Sequence, residues 1–252
     1  MQNKSYGIFA EFYDELTGNI DYKKRAEYFQ QLIEKCGGKK NSFLLDLACG
    51  TGSLSEAMDD LGYDVIAVDR SQEMLSIAMD KKFESRKNIQ YVCQDMRHLD
   101  LYGGVDVTVC ALDSLNHLDN LEDVSNVFKR VFMFTNPEGL FIFDINTEFK
   151  HKTILGEHTF IYDTDDVYCV WQNSCEDSRV RIELDFFIPE DDENHYSRFS
   201  ECFYENAYPL EDIKSALENA GFEVLGIYDE DSFNPVREDS QRAVFAAKRK
   251  DV

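Results

Sequence analysis

Hydrophobic and polar positions along the chain follow two different periods. Over residues 1–37, apolar and aromatic side chains recur at helical spacing, which predicts two amphipathic helices. Gly37 and Gly38 end the second of them. From residue 43 onwards, short apolar runs such as FLLDLA and VIAVD alternate with helical segments such as SLSEAMDDLG. This alternation is typical of βαβ units and predicts a parallel sheet. The interval from Asp95 to Gly104 is too short and irregular to predict a helix.

A period of two replaces this pattern between about residues 157 and 208. Apolar and polar residues alternate in FIYDTDDVYCVWQNSC, RVRIELDFFIPEDD and YSRFSECFYENAY, which predicts a small antiparallel sheet inserted in the α/β fold. A helix, LEDIKSALENAGF, and two strands, EVLGIYD and RAVFAAKRK, then complete the α/β pattern. The predicted segments are an N-terminal helical cap (1–38), an α/β core (39–150), a β insertion (151–207) and the completion of the core (208–252).

Composition and charge indicate the environment and the partners of the chain. With 43% hydrophobic residues among 252, the chain can bury a sizeable core, and general disorder is excluded. No apolar run approaches the roughly 18 residues of a membrane span, and acidic residues interrupt the N-terminal stretch where a signal peptide needs apolar sequence. Seven cysteines without a CxxC pair predict reduced thiols and no metal site. We therefore expect a cytoplasmic protein without a membrane partner.

The net charge of −23 makes a nucleic-acid partner unexpected. Binding of nucleic acid requires clustered Lys and Arg that neutralise phosphates. The 26 basic residues of this chain occur in short groups that are diluted by carboxylates. We interpret these groups as solvated faces.

Three successive predicted strands place an acidic residue near their carboxyl ends. The first strand contains Asp46 and leads into a turn with Gly50 and Gly52, the second ends at Asp69, and Asp95 follows the third. Glycines let the backbone approach a ligand, and an acid in the position of Asp69 can accept hydrogen bonds from a ribose diol. Open α/β sheets bind ligands at this edge. The structural alternative is that the glycines only form a tight turn and that Asp69 caps the next helix, although Ser71 could cap it instead.

The segments LLDLACGTG, VIAVDRSQEML, YVCQDM and VDVTVCALDSLNHL, in this order and spacing, resemble the motifs of class I S-adenosylmethionine-dependent methyltransferases. The resemblance spans roughly residues 40–145 and returns over 208–248. The fold that follows is α/β and Rossmann-like: a seven-stranded, mostly parallel sheet with helices on both faces, an N-terminal helical cap and a small antiparallel insertion. A nicotinamide-dependent dehydrogenase is the competing interpretation. Asp46, Ser55 in place of a third glycine, and the QDM segment favour the methyltransferases.

The resemblance also implies which residues surround S-adenosylmethionine. Asp69 would hold the ribose, Arg70 would lie beside the adenine, and Leu112 would lie near the sulfonium. In small-molecule members of the family a tyrosine of the cap closes over the amino-acid end of the cofactor, and Tyr13 is the candidate here. The complete set of predicted cofactor contacts is Tyr13, Asp46, Ala48, Gly50, Gly52, Asp69, Arg70, Met74, Asp95, Met96 and Leu112.

The loop after the fourth strand is the segment that the resemblance places nearest to the reacting methyl group. Asp113, Asn116 and His117 are therefore the candidate catalytic or acceptor-contacting residues, and His117 could act as a base near neutral pH. In the alternative interpretation, Asn116 or Asp119 caps the following helix and His117 packs on the surface.

The predicted function is methyl transfer from S-adenosylmethionine to a small-molecule acceptor, as in the glycine and amino-sugar N-methyltransferases that the chain resembles. The alternatives are a tRNA or protein acceptor, and binding of S-adenosylmethionine without catalysis. We expect the insertion to govern acceptor choice or to form the contact of a homodimer, while cofactor binding is left to the core.

Overall fold

The computed structural model describes residues 7–190 and 195–250. Residues 1–6 of the predicted cap, 191–194 of the predicted insertion and 251–252 lie outside the described residues. The helices are α1 (Gly7–Leu16), α2 (Tyr22–Lys35), α3 (Ser53–Asp60), α4 (Gln72–Ser85), α5 (Leu121–Phe134) and α6 (Leu210–Ala220). The strands are β1 (Phe43–Leu47), β2 (Asp64–Asp69), β3 (Gln90–Cys93), β4 (Val105–Cys110), β5 (Thr135–Asn146), β6 (Thr159–Asp163), β7 (Tyr168–Glu176), β8 (Arg179–Pro189), β9 (Tyr196–Asn206), β10 (Phe222–Asp229) and β11 (Arg242–Arg249).

The main sheet has seven strands in the order β10-β11-β5-β4-β1-β2-β3. The strands from β5 to β3 in this order are parallel to one another. β11 runs antiparallel to both of its neighbours, β5 and β10. The predicted seven-stranded, mostly parallel sheet is confirmed.

Helices cover both faces of the main sheet because its central strands are apolar on both sides. In β1, Leu45 and Leu47 belong to the hydrophobic cluster that includes α5 and α6, whereas Leu44 belongs to the cluster that includes α2 and α3. The described residues contain no helix that is long and apolar enough to cross a membrane.

The insertion is a four-stranded antiparallel sheet in the order β6-β7-β8-β9. The first predicted run, FIYDTDDVYCVWQNSC, divides into β6 and β7. The turn between them closes on Thr164, whose Oγ1 donates to the carbonyl of Val167 at 2.9 Å and accepts from its N–H at 3.1 Å. A π-helical turn at Lys150–Leu155, which the sequence pattern does not predict, connects β5 to this sheet.

Helix α1 packs on the inner face of the insertion. The ring of Phe12 stacks on that of Phe186 of β8 with the centroids 6.2 Å apart. At the start of α1, Glu201 of β9 accepts hydrogen bonds from the N–H groups of Ile8 at 2.8 Å and Phe9 at 3.0 Å. The first amides of a helix lack partners within the helix, so Glu201 satisfies two of them. α1 and the insertion thus form one packed unit, and the segment boundaries drawn from the sequence stay predictions.

Removal of the Phe186 ring should loosen α1 together with the insertion, because this ring is fully buried and stacks on Phe12. We expect Phe186→Ala to lower the free energy of unfolding by about 3–5 kcal/mol and to speed amide exchange in both segments. Urea unfolding and hydrogen-exchange mass spectrometry measure the two effects. The control is Phe83→Ala, whose ring on α4 is 86% exposed. Unchanged exchange in α1 of the Phe186 variant would show that the two segments are not coupled.

Candidate active site

A cavity of about 690 Å³ lies at the carboxyl ends of the parallel strands β1 to β4. Its volume falls within the roughly 300–1,000 Å³ of small-molecule sites. The loops after these strands form one side of the cavity, and residues of α1 and α2 form another. The insertion and the turn that leads to it close the remainder with Leu155, Phe160, Tyr162, Trp171, Phe203 and Glu205. The insertion therefore shapes the same cavity as the main sheet.

The two glycines of the turn after β1 have different roles. Both have left-handed backbone, with φ of 54° at Gly50 and 77° at Gly52. A Cβ atom at Gly50 would meet nothing within 4 Å, because this glycine faces the open cavity. A Cβ atom at Gly52 would instead collide with the hydroxyl of Tyr91. Gly50 leaves room for a ligand, and Gly52 allows close packing between α3 and β3.

Asp46 lies behind this turn and does not line the cavity. Its Oδ2 accepts a hydrogen bond of 2.5 Å from the hydroxyl of Ser55. Burial, with a further contribution from the charge of Asp69, raises the pKa of Asp46 to about 7. Asp46 fixes the turn through Ser55, and direct contact with a ligand stays a prediction.

Asp69 lines the cavity at the end of β2 with its carboxylate held by two backbone amides. Oδ2 accepts from Gly50 N at 2.8 Å, and Oδ1 accepts from Ser71 N at 2.8 Å. Each carboxylate oxygen keeps one lone pair for a further hydrogen bond. The side chain of Ser71 caps α4 by accepting from Met74 N at 3.1 Å. Asp69 is therefore not needed as the side-chain cap of α4 and is available to a ligand.

The next part of the cavity wall joins polar and apolar side chains around the end of β3. Asp95 and Met96 line it, as do Arg70 and Met74. Asp95 pairs with Arg97, whose Nη2 lies 2.5 Å from Oδ2. Burial raises the pKa of Asp95, but the hydrogen bonds from Arg97 outweigh this effect and lower it. Both carboxylate oxygens of Asp95 already accept hydrogen bonds from Arg97, so contact of Asp95 with a ligand stays a prediction.

Tyr13 reaches the cavity from α1. Burial, and the neighbouring Tyr22 and Asp113, raise the pKa of its phenol well above its usual value, so the hydroxyl stays protonated. The next residue, Asp14, accepts a hydrogen bond of 2.7 Å from the hydroxyl of Thr51 in the glycine-rich turn and pairs with Lys81 of α4. These contacts hold α1 over the turn.

The loop after β4 has strained backbone at two successive residues. Leu112 and Asp113 have φ of 55° and 54°, a region that residues with a side chain rarely adopt. Asp144 of β5 holds this conformation: its Oδ2 accepts from Leu112 N at 3.0 Å, and its Oδ1 accepts from Asp113 N at 2.8 Å. The loop thus presents Leu112 and the Asp113 side chain to the cavity.

Asp113 is ion-paired within this wall. Its Oδ1 lies 2.6 Å from Nη2 of Arg242. Burial raises the pKa of Asp113, but Arg242, Lys150 and His117 outweigh burial and hold it well below the usual range. Burial and Arg242 lower the pKa of the Lys150 ammonium. Asp113 is consequently a fixed negative charge and a poor proton acceptor.

Asn116 and His117 of the same loop face in different directions. Asn116 is fully buried outside the cavity lining, where its Nδ2 donates to the carbonyls of Asn146 at 3.1 Å and Asn206 at 2.9 Å. The cap of α5 is Asn120, which accepts from Asp123 N at 2.9 Å, so the alternative that Asn116 or Asp119 caps this helix is wrong.

His117 lines the cavity, with Nε2 3.9 Å from Glu205 Oε1. One carboxylate oxygen of Asp113, one ring nitrogen of His117 and one carboxylate oxygen of Glu205 lie within 4.8 Å of one another. The loop after β4 and strand β9 of the insertion thus bring an imidazole and two carboxylates together in one wall.

Known proteins share this arrangement of elements. Residues 44–139 match the family described as "Methyltransferase domain". YqeM of Bacillus subtilis (strain 168), whose name places it among methyltransferases, is 31% identical over 247 residues, which cover 97% of each chain. The crystal structure of a S-adenosylmethionine-dependent methyltransferase from Clostridium acetobutylicum ATCC 824 is 34% identical, covers 98% of this chain and 99% of its own, and has a TM-score of 0.87. The chain belongs to the S-adenosylmethionine-dependent methyltransferases. Its methyl donor is S-adenosylmethionine.

Two further relatives of this methyltransferase carry acceptors in their names. Glycine/sarcosine N-methyltransferase of Halorhodospira halochloris is 27% identical over 87% of this chain and 79% of its own. The structure of CalS10, an amino pentose methyltransferase from Micromonospora echinaspora with S-adenosylmethionine bound, covers 99% of this chain at 16% identity and a TM-score of 0.76. The second comparison shows a shared fold.

Most of the residues predicted for the methyltransferase site gather around the one cavity. Those that line it are Tyr13, Ala48, Gly50, Asp69, Arg70, Met74, Asp95, Met96, Leu112, Asp113 and His117. Asp46, Gly52 and Asn116 lie behind the wall. The open space at Gly50 and the remaining lone pairs of Asp69 fit the sugar of the methyl donor. The individual contacts with the donor stay predictions.

Sequence reasoning missed the charged residues that complete the methyltransferase cavity: Arg25 of α2, Lys150 of the π-helical turn, Glu205 of β9 and Arg242 of β11. It also missed Asp144, which lies behind them on β5. Asp144 carried a usable signal, because a carboxylate within the apolar strand LFIFDIN requires a buried partner.

Asp69→Ala should weaken the binding of S-adenosylmethionine by at least about tenfold, because two hydrogen bonds to a charged group are lost. Isothermal titration calorimetry measures the affinity, and circular dichroism checks the fold. The matched control is Asp64→Ala, at the exposed start of the same strand. Unchanged affinity in a folded Asp69 variant would exclude Asp69 from donor binding.

Asp46 should make stability depend on pH in a defined direction. Because burial raises its pKa to about 7, the folded protein retains a proton that the unfolded chain loses near pH 4. The contribution of Asp46 to the free energy of unfolding is therefore full below about pH 4 and lost as the pH rises through about 7. Relative to Asp46→Asn, the wild type should lose on the order of 3–4 kcal/mol over this interval, measured by urea unfolding. A constant difference between the two proteins would contradict the raised pKa.

Proposed function

We propose that this methyltransferase transfers a methyl group to the amine nitrogen of a small molecule in the cytoplasm. The proposal rests on the charge of the part of the cavity that α1 and the insertion cover, where carboxylates outnumber cations. A covered site of this kind favours an acceptor of metabolite size over tRNA or a folded protein.

The charges at this end of the cavity favour a cationic acceptor. Four carboxylates line it, those of Asp113, Glu205, Glu230 and Asp231, and Asp144 lies behind them. Arg25, Lys150 and Arg242 are the cations among them, and a further ion pair of the lining, Asp21 with Lys24, adds no net charge. Both arginines are already paired with Asp144 and Glu230. The surplus of negative charge attracts an ammonium group, since such a charge is only weakly screened inside a cavity.

The named acceptors of relatives agree with an amine. The Halorhodospira halochloris enzyme is named for glycine and sarcosine, and CalS10 is named for an amino pentose. Each of these acceptors carries a nitrogen.

Catalysis in this enzyme depends largely on position. When it is bound, S-adenosylmethionine supplies an electrophilic methyl group on a positively charged sulfur. Asp69 would orient the donor through its ribose, while Leu112 and the fixed loop after β4 would place the reacting groups in line. Aromatic side chains of α1 and the insertion line the cavity and would exclude water from the reacting groups once both substrates are bound. His117 and Glu205 face the acceptor end and can receive a proton.

Tritium transfer from methyl-labelled S-adenosylmethionine tests the proposed function. We expect label to enter primary or secondary amines from a panel that contains glycine, sarcosine and amino sugars, and not their hydroxyl analogues or tRNA. Asp69→Ala serves as the donor-binding control. Label found only in tRNA, in protein or in hydroxyl compounds would overturn the amine proposal. The absence of a nucleic-acid partner and the homodimer stay predictions.

A further inference from the structure

We propose that Glu205 and His151 share a proton at the acceptor end of the cavity, and that Glu205 is the base that receives the proton of an acceptor ammonium. Glu205 belongs to β9 of the insertion, and His151 belongs to the π-helical turn before it. The second half of this inference rests on the amine acceptor proposed above, whereas the first half does not.

The surroundings of His151 determine where its ring protons lie. The imidazole is fully buried, and Nδ1 lies 3.0 Å from the carbonyl oxygen of Ser178. A carbonyl only accepts hydrogen bonds, so Nδ1 carries a proton. Nε2 has no hydrogen-bond partner among the described residues and lies 3.5 Å from Glu205 Oε2. A neutral ring would direct its lone pair at an ionised carboxylate, and one further proton on either of the two groups removes this repulsion.

Glu205 connects this buried pair to the cavity. Its side chain is buried but lines the cavity wall. Oε2 faces His151 and accepts a hydrogen bond of 3.1 Å from Asn146 Nδ2. Oε1 points the other way, 3.9 Å from His117 Nε2. One oxygen is therefore held from behind, while the other is directed towards the acceptor space.

The charged groups that face Glu205 come from two other segments. The loop after β4 contributes Asp113 and His117. The π-helical turn contributes His151 and Lys150, whose ammonium is electrostatically coupled to Glu205. The carboxylate of Asp113 already forms an ion pair with Arg242. Among these groups, Glu205 is the carboxylate that has a histidine, His151, beside one oxygen and directs its other oxygen, Oε1, towards the cavity.

The proton step precedes formation of the new bond. An ammonium has no lone pair and cannot attack the methyl group. The Glu205–His151 pair first releases its shared proton to solvent water through the cavity that Glu205 lines. Glu205 then takes one proton from the acceptor ammonium. The freed lone pair on nitrogen then forms the bond to the methyl carbon, and the electron pair of the broken carbon–sulfur bond stays on sulfur. The products are a methylated ammonium and a neutral thioether.

Nuclear magnetic resonance of the protein alone tests the shared proton, with ¹⁵N-labelled histidine and ¹³C-labelled glutamate. At neutral pH we expect either a protonated Nε2 on His151 or a protonated carboxyl on Glu205. In Glu205→Gln, His151 should become a neutral ring that is protonated only at Nδ1. Exposed His158 serves as the reference. A neutral His151 together with an ionised Glu205 in the wild type would overturn the first half, whatever the acceptor is.

The pH dependence of turnover, with the amine that takes up label, tests the base. Glu205→Gln should lower kcat/KM for that amine by about a hundredfold or more in the pH interval where the Glu205–His151 pair has lost its shared proton but the amine in solution keeps its own. The loss should fade on either side of this interval. Binding of S-adenosylmethionine, measured by calorimetry, should stay unchanged. The control is Glu183→Gln on β8, a half-exposed carboxylate paired with Arg181. An equal loss of kcat/KM at every pH would indicate a structural role only and would overturn the assignment of Glu205 as the base.

Discussion

One wall of the cavity of this methyltransferase depends on one buried carboxylate, Asp144 of β5. Its two oxygens accept hydrogen bonds from the backbone amides of Leu112 and Asp113. They also form ion pairs with Arg25 and Arg242. Left-handed backbone costs roughly 1–2 kcal/mol for a residue with a side chain, so two successive residues adopt it only where their amides are held. One side chain thus connects α2, β5, β11 and the loop after β4.

This network contributes more to position than to stability. Transfer of charged groups from water into a protein interior costs several kcal/mol for each ion, and their mutual attraction often no more than offsets that cost. Removal of Asp144 would leave two guanidinium groups, 7% exposed each, without their shared anion. The network therefore defines one arrangement of Asp113 and Arg242 at the cavity wall, and every other arrangement leaves a buried charge unpaired.

The sequence predicts the part of the cavity wall that follows the parallel strands much better than the part that the insertion contributes. Gly50 and Asp69 lie immediately after apolar strands of a βαβ pattern, so local sequence determines both the strand end and the residue at it. Glu205 occupies one position of an alternating strand, and alternation alone does not show which face of β9 meets the cavity. His151 lies in a π-helical turn that has no sequence signature. The apolar face of α1 predicts a helix, but its partner, β8, lies about 170 residues further along the chain.

The packing of α1 links the two sides of the cavity. Asp14 of this helix accepts a hydrogen bond from Thr51 of the glycine-rich turn. At the start of the helix, the first amides donate hydrogen bonds to Glu201 of β9 in the insertion. Between these contacts Tyr13 faces the cavity. Because Glu201 and Glu205 lie on the same face of one strand, any movement of β9 that displaces the acceptor wall also pulls on the start of α1. The contacts of α1 therefore join the glycine-rich turn and the insertion into one cavity wall, although the sequence separates α1 from the insertion by the whole of the first five strands of the core.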